Sequence, residues 1–154
     1  MSGYLLDTNC VSELVRPAPE PRVVEWVQAA DESILYLSVL TLGEIRKGLV
    51  ALADGKRRTR LEAWLEVDLK ARFAGRILSI DSNVADRWGS IAAQVRRGGK
   101  ALPVIDGLIA ATALHHDLTV VSQRQRLSRL AGSGPESLAS LVSLIATHPE
   151  IQTS

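Results

Sequence analysis

This sequence has little of several features that mark specialised classes of protein. A single cysteine among 154 residues excludes a disulfide within the chain and leads us to expect a reducing, cytoplasmic location. No apolar run approaches the roughly 20 residues of a membrane-spanning helix, and we expect no signal peptide and no membrane partner. The formal net charge of +1 gives no global argument for nucleic-acid binding. Aromatic residues make up 4%, which does not support a platform for stacking bases.

The pattern of apolar segments predicts one α/β domain. Hydrophobic residues make up 46% of the chain, enough for a core. Helices are predicted after each of the first three strands, including one over 10–16 before Pro17, an amphipathic helix over 56–73, and one capped by Asp81 that ends at Arg97. The predicted strands are 4–6, 34–38, 77–80 and 118–121. The alternation predicts a short parallel sheet of four or five strands flanked by helices. We place this domain at residues 1–132 and an atypical C-terminal tail at 133–154.

Three acidic residues that are far apart in sequence are predicted to meet at one edge of this sheet. Asp7 directly follows the first strand, Glu44 comes shortly after the second, and Asp106 lies in the first turn of a helix that starts at Pro103. Ligands of such sheets bind beyond the carboxyl ends of the strands. Carboxylate oxygens are the donors that Mg²⁺ prefers, so the trio suggests a magnesium site.

Each of these acids also has a purely structural interpretation. Asp7 is a good helix N-cap. Thr41 and Glu44 have the spacing of a capping box. Asp106 would be favoured near a helix N-terminus by the helix dipole. Position alone therefore does not distinguish a metal site from three helix caps.

Four sequence blocks, in a fixed order, closely resemble the PIN-domain ribonuclease toxins of the VapC (VapBC toxin–antitoxin) family, in particular its FitB-like members. The blocks are Leu-Leu-Asp-Thr-Asn at 5–9, the stretch 37–48, Phe-Ala-Gly-Arg-Ile-Leu at 73–78, and the stretch 106–113. The resemblance extends from residue 3 to about residue 121. Any one block would be weak, but the four together are specific.

The resemblance implies a Mg²⁺-dependent endoribonuclease toxin of a type II toxin–antitoxin pair, with Mn²⁺ as a substitute ion. Such an enzyme cleaves RNA phosphodiesters with a metal-activated water. The implied partners are a second copy of the chain, a VapB-type antitoxin and the RNA substrate. Operator DNA would be bound only through the antitoxin.

The same resemblance assigns roles to residues of this chain. Asp7, Glu44 and Asp106 match the catalytic and metal-binding acids. Thr8, Asn9 and Ser122 are candidates for a supporting role, although Thr8 and Asn9 are equally ordinary turn and cap residues. Arg46 and Lys47 lie beside Glu44 and are candidates for contacts with RNA phosphates.

The sequence departs from the family after the last strand, where a fourth acid is expected. Arg124 stands in place of an Asn or Asp, and Leu127 in place of the acid of the longer pattern. Codons permitted for residues 122–128 include AGC CAA CGT CAG CGA CTT TCG, which shifted forward by one nucleotide read Ala-Asn-Val-Ser-Asp-Phe. A frameshifted end is therefore one hypothesis for the tail.

The departure leaves two alternatives to an active nuclease. One is a catalytically impaired PIN-like module that still binds an antitoxin, and RNA as well. The other is a structural dimerisation domain in which the acids are only helix caps. Metal binding and RNA cleavage separate the three hypotheses.

Overall fold

A computed structural model describes residues 3–121 of the chain, and its centre is a parallel sheet of four strands. The strands are β1 (Gly3–Leu6), β2 (Leu35–Ser38), β3 (Ile77–Leu78) and β4 (Leu118–Val121). Their order across the sheet is β3-β2-β1-β4, and every pairing is parallel. The predicted fold class is thereby confirmed.

Helices connect the strands in the order of the chain. The helices are α1 (Thr8–Glu13), α2 (Pro21–Ala29), α3 (Val39–Val50), α4 (Lys56–Ala63), α5 (Lys70–Arg72), α6 (Ser82–Arg97) and α7 (Val104–His115). A 3₁₀ helix (Glu32–Ile34) precedes β2, and a π-helix (Trp64–Leu69) joins α4 to α5. In the described part of the chain, no helix is long and apolar enough to cross a membrane.

The two faces of the sheet are buried by different helices. Leu6, Leu35, Leu37 and Val121 point into a core filled from α1, α2, α3 and the π-helix. Leu5 and Leu118 point to the other face, where Ile109 and Ala113 of α7 cover them. Because neighbouring residues of a strand face opposite sides, Leu5 and Leu6 are both fully buried.

Helix α6 forms an outer layer on the α7 side. Val84, Ile91 and Val95 of α6 pack with Ala111 of α7. The N-cap of α6 is Asp81, whose carboxylate accepts a hydrogen bond of 2.9 Å from the Val84 amide, as the sequence predicts. This layer fixes α7 against the sheet and with it the position of Asp106.

Several predicted boundaries differ from the structure. The first helix begins at Thr8 and ends at Glu13, whereas the sequence predicts 10–16. The single amphipathic helix predicted over 56–73 contains the π-helix in its middle. The strand predicted over 77–80 is only two residues long. The observed helix and strand segments are therefore shorter than the segments predicted from the sequence.

The strand order creates a switch point between β1 and β4. From β1 the chain moves to β2 and then β3 on one side, and β4 later pairs with the opposite side of β1. Ligand crevices of parallel sheets lie beyond the carboxyl ends of the strands at the point where the strand order reverses, so a crevice is expected at this edge. Asp7 is the first residue beyond β1, at the mouth of this crevice.

Candidate active site

Asp7 is held at the junction of the sheet and helix α1. Its amide donates a hydrogen bond of 2.9 Å to the carbonyl of Val121, so the β1–β4 ladder reaches this residue. Its carboxylate oxygen Oδ1 accepts a hydrogen bond of 2.8 Å from the amide of Thr8. Asp7 is therefore the N-cap of α1, as the helix-cap alternative predicts. It also lies at the carboxyl end of β1, where ligands of parallel sheets bind.

Glu44 is tied to the same edge by the side chain of Thr8. The Thr8 hydroxyl donates a hydrogen bond of 2.7 Å to Oε1 of Glu44, across 36 residues of sequence. Helix α3 begins at Val39, and its cap is Ser38, whose hydroxyl accepts from the Leu40 amide at 3.1 Å. The capping-box interpretation of Glu44 is therefore wrong: its carboxylate bonds to another helix and not to the start of its own.

Asp106 reaches the same edge through the direction of α7. It is the third residue of that helix and is half-buried. Helix α7 packs on the sheet and ends only two residues before β4 begins, so it runs opposite to β4. Its N-terminal turn therefore lies at the carboxyl end of the sheet, where the helix dipole favours a carboxylate.

The three acids share an edge but do not form a closed cage. Among residues 3–121, no three side chains of Asp, Glu, His or Cys converge closely enough to hold a cation by themselves. Mg²⁺ usually keeps several waters and takes one or two carboxylates. A Mg²⁺ ion at this edge would therefore need waters to complete its coordination.

The single thiol near the site is unsuited to nucleophilic chemistry. Cys10 is buried in α1. Burial first, and then the carboxylates of Asp7 and Glu13, raise the pKa of the Cys10 thiol to about 12. A neutral, enclosed thiol is a poor nucleophile, so Cys10 serves as a small apolar packing residue.

The two basic residues beside Glu44 have different surroundings. Arg46 forms an ion pair with Glu66 of the π-helix, and Glu66 also contacts Lys70 at 2.9 Å. Lys47 is exposed in the last turn of α3. Lys47 can meet a phosphate as it stands, whereas Arg46 must first exchange its carboxylate partner.

The remaining predicted site residues fall into two classes. Asn9 is exposed in α1, next to the Thr8 that reaches Glu44. Ser122, and the departures at Arg124 and Leu127, lie outside the described residues.

Sequence reasoning assigned no site role to Thr41, whose hydroxyl lies 3.3 Å from that of Thr8. The only signal was its spacing to Glu44, and that spacing was interpreted as a cap.

A cleft of about 220 Å³ opens beside the Thr8–Glu44 contact, between α1, α3 and α4. Apolar side chains make up much of its lining, and Arg16 and Arg57 contribute positive charge to it. Its lining is Thr8, Ser12, Val15, Arg16, Glu44, Ile45, Gly48, Leu49, Leu52, Arg57, Leu61 and Trp64. A cleft with this lining suits a segment that is partly apolar and partly acidic.

Comparisons with known proteins agree on one family. Residues 4–133 match the profile of the PIN domain. The chain is 42% identical over 119 residues to toxin FitB of Neisseria gonorrhoeae, covering 77% of this chain and 86% of that protein. It is 39% identical over 119 residues to VapC ribonuclease Y4jK of Sinorhizobium fredii, covering 77% of this chain and 85% of that protein.

Solved structures give the same result for the fold. The chain superposes on FitAB bound to the IR36 DNA fragment with a TM-score of 0.74 at 40% identity, covering 79% of this chain and 85% of that one. DNA-bound VapBC from Salmonella typhimurium gives a TM-score of 0.67 at 26% identity, with 90% and 99% covered. The fold similarity covers most of this chain and most of each of the two solved chains.

Proposed function

Since this chain belongs to the PIN-domain family that includes the VapC and FitB toxins, we propose that it is a Mg²⁺-dependent endoribonuclease toxin of a type II toxin–antitoxin pair. The observation that carries the proposal is the hydrogen bond between Thr8 and Glu44. It joins the acid of α3 to the strand end that bears Asp7. A structural cap needs no such contact between two helices.

In this proposal, three carboxylates at one edge of the sheet would hold a magnesium ion together with bound waters. Asp7, Glu44 and Asp106 would supply carboxylate oxygens, and Thr8 would orient Glu44. When bound, the ion supplies an activated water and charge neutralisation at the phosphodiester. The carboxylates would hold the ion at the carboxyl edge of the sheet, and exposed Lys47 would offer a cation for the RNA backbone.

Activity of purified protein on an RNA pool tests the proposal. Cleavage is expected with Mg²⁺ or Mn²⁺ and is expected to stop with EDTA. Asp7→Asn and Asp106→Asn should each lower the rate on the order of 100-fold or more, because even indirect changes at metal sites cost roughly 10–100-fold. Glu44→Gln should also lower the rate of RNA cleavage. Asp68→Asn and Glu25→Gln, exposed acids on the π-helix and α2, are the matched controls.

A second candidate function is a PIN-like module that binds its antitoxin without cleaving RNA. Two observations favour it. Arg124 stands where the family pattern has Asn or Asp, and Leu127 stands where the longer pattern has an acid. The acids among residues 3–121 also form no closed metal cage. Metal binding without cleavage in the parent, with cleavage gained in Leu127→Asp, would establish this candidate. Absence of metal binding altogether would instead favour the cap interpretation.

The proposed partners are a VapB-type antitoxin, a second copy of the chain and, through the antitoxin alone, operator DNA. The structural relatives include FitAB and VapBC, both bound to DNA. The cleft between α1, α3 and α4 would receive an antitoxin segment beside the acids. Val15→Lys, at a half-buried position of the cleft, should weaken inhibition by the antitoxin while leaving cleavage intact. Equal inhibition of both proteins would place the antitoxin elsewhere.

A further inference from the structure

Thr41 is a polar residue enclosed completely inside the protein. It lies in α3, three residues before Glu44 and on the same side of the helix, and none of its surface is exposed. A buried hydroxyl is costly unless it is hydrogen-bonded. The hydroxyl of Thr8, 3.3 Å away in helix α1, is a partner for it.

Simple chemistry sets the direction of the hydrogen bonds. The Thr8 hydroxyl has one proton, and an ionised Glu44 carboxylate can only accept. The Thr8–Glu44 distance of 2.7 Å is that of a charge-assisted bond. The Thr8 proton therefore goes to Glu44, and Thr41 donates its own proton to the Thr8 oxygen. The result is a directed chain from Thr41 through Thr8 to Glu44.

We infer that Thr41 is a positioning residue for the acidic edge, an inference that rests on the proposed nuclease function. By donating to Thr8, it holds the Thr8 side chain in the rotamer that reaches Glu44. Without that bond, the Thr8 hydroxyl is free to turn toward solvent or its own backbone. Thr41 itself is too deep to touch RNA or a metal ion, so its effect passes entirely through Thr8.

Three variants isolate the hydroxyl of Thr41. Thr41→Val removes it at nearly constant shape, and Thr41→Ser retains it. Thr112→Val is the matched control, because Thr112 is also fully buried but donates 2.7 Å to the Leu108 carbonyl within its own helix. Thr41→Val should lose roughly 10-fold or more in Mn²⁺ affinity and RNA cleavage, the range seen for indirect changes at metal sites. Thr41→Ser should stay within about twofold of the parent, and so should Thr112→Val.

A measurement on metal-free protein separates this inference from the proposed function. Three-bond NMR couplings of the Thr8 methyl group report its χ1 rotamer directly. We expect one rotamer in the parent, in Thr41→Ser and in Thr112→Val, and averaging in Thr41→Val. Unchanged Thr8 couplings in Thr41→Val would overturn the inference, as would equal losses of Mn²⁺ affinity in Thr41→Val and Thr112→Val. A parent that neither binds Mn²⁺ nor cleaves RNA would overturn the nuclease proposal, and the couplings would still decide the role of Thr41.

Discussion

Gly107 lies directly after Asp106 in helix α7 and packs against Trp88 of helix α6. A Cβ atom built on Gly107 would lie 2.8 Å from Cδ2 of Leu102 and 2.9 Å from Cδ1 of Trp88. Carbon atoms in good contact are about 3.5–4.0 Å apart. Gly107→Ala therefore has to push apart two packed side chains, or move the first turn of α7 away from α6.

The expected size of this effect follows from two opposing contributions. Overpacking a core costs about 1–3 kcal/mol, and two simultaneous clashes place Gly107→Ala in the upper part of that range. Alanine is better than glycine inside a helix by about 1 kcal/mol. We therefore expect Gly107→Ala to lower the free energy of unfolding by about 1–2 kcal/mol.

Gly89, in the middle of α6, is a matched control. A Cβ there would meet nothing within 4 Å, so Gly89→Ala should raise the free energy of unfolding by about 0.5–1 kcal/mol. The two variants should differ by roughly 1.5–3 kcal/mol. At about 4 °C per kcal/mol for a domain of this size, the difference in Tm is roughly 6–12 °C. Chemical denaturation and thermal unfolding both measure it. Equal stability of the two variants would show that α6 and α7 do not pack as described.

Three further outcomes follow from other parts of the structure. Burial raises the pKa of the Cys10 thiol to about 12. A thiol reagent at mildly alkaline pH should therefore modify the native protein far more slowly than the denatured protein. Equal rates of modification would exclude the described packing of α1. The Arg76 guanidinium donates to three backbone carbonyls and lies over the Phe73 ring. Arg76→Met should therefore lower the free energy of unfolding by about 2–3 kcal/mol, measured by chemical denaturation. Arg76→Lys keeps the charge but lacks the planar guanidinium, so it should recover only part of that loss. The hydrogen bond from the Val84 amide is the main cause that lowers the pKa of Asp81 below its ordinary 3.8. The ionised Asp81 carboxylate therefore contributes stability above pH 3.8, and this contribution is lost as the pH falls through the lowered pKa of the folded protein. Asp81→Asn should remove this acid-dependent part of a stability-versus-pH curve, and parallel curves for the two proteins would refute the assignment.

The sequence predicts the strands, their parallel arrangement and the edge that bears the acids, because each of these depends on local apolar runs and cap residues. The π-helix could not be predicted in this way. Leu61, Leu65 and Leu69 recur every four residues, and a spacing of four lies between the 3.6 residues per turn of an α-helix and the roughly 4.4 of a π-helix. Three leucines are too few to separate the two periods. In the π-helix, Leu65 and Leu69 are buried in the core and Val67 is exposed.

The capping-box alternative for Glu44 fails for a different reason, which bears directly on the site. Ser38 and Thr41 are both good caps in sequence, and local chemistry does not choose between them. The choice is made by β2, whose parallel pairing with β1 and β3 ends the strand at Ser38 and starts the helix there. Once the helix begins at Val39, Thr41 is turned into the interior and Glu44 toward α1. A contact across 36 residues, from Thr8 to Glu44, then becomes available. Sheet pairing, which no single segment encodes, thus decides whether Glu44 serves the start of its own helix or the acidic edge shared with Asp7.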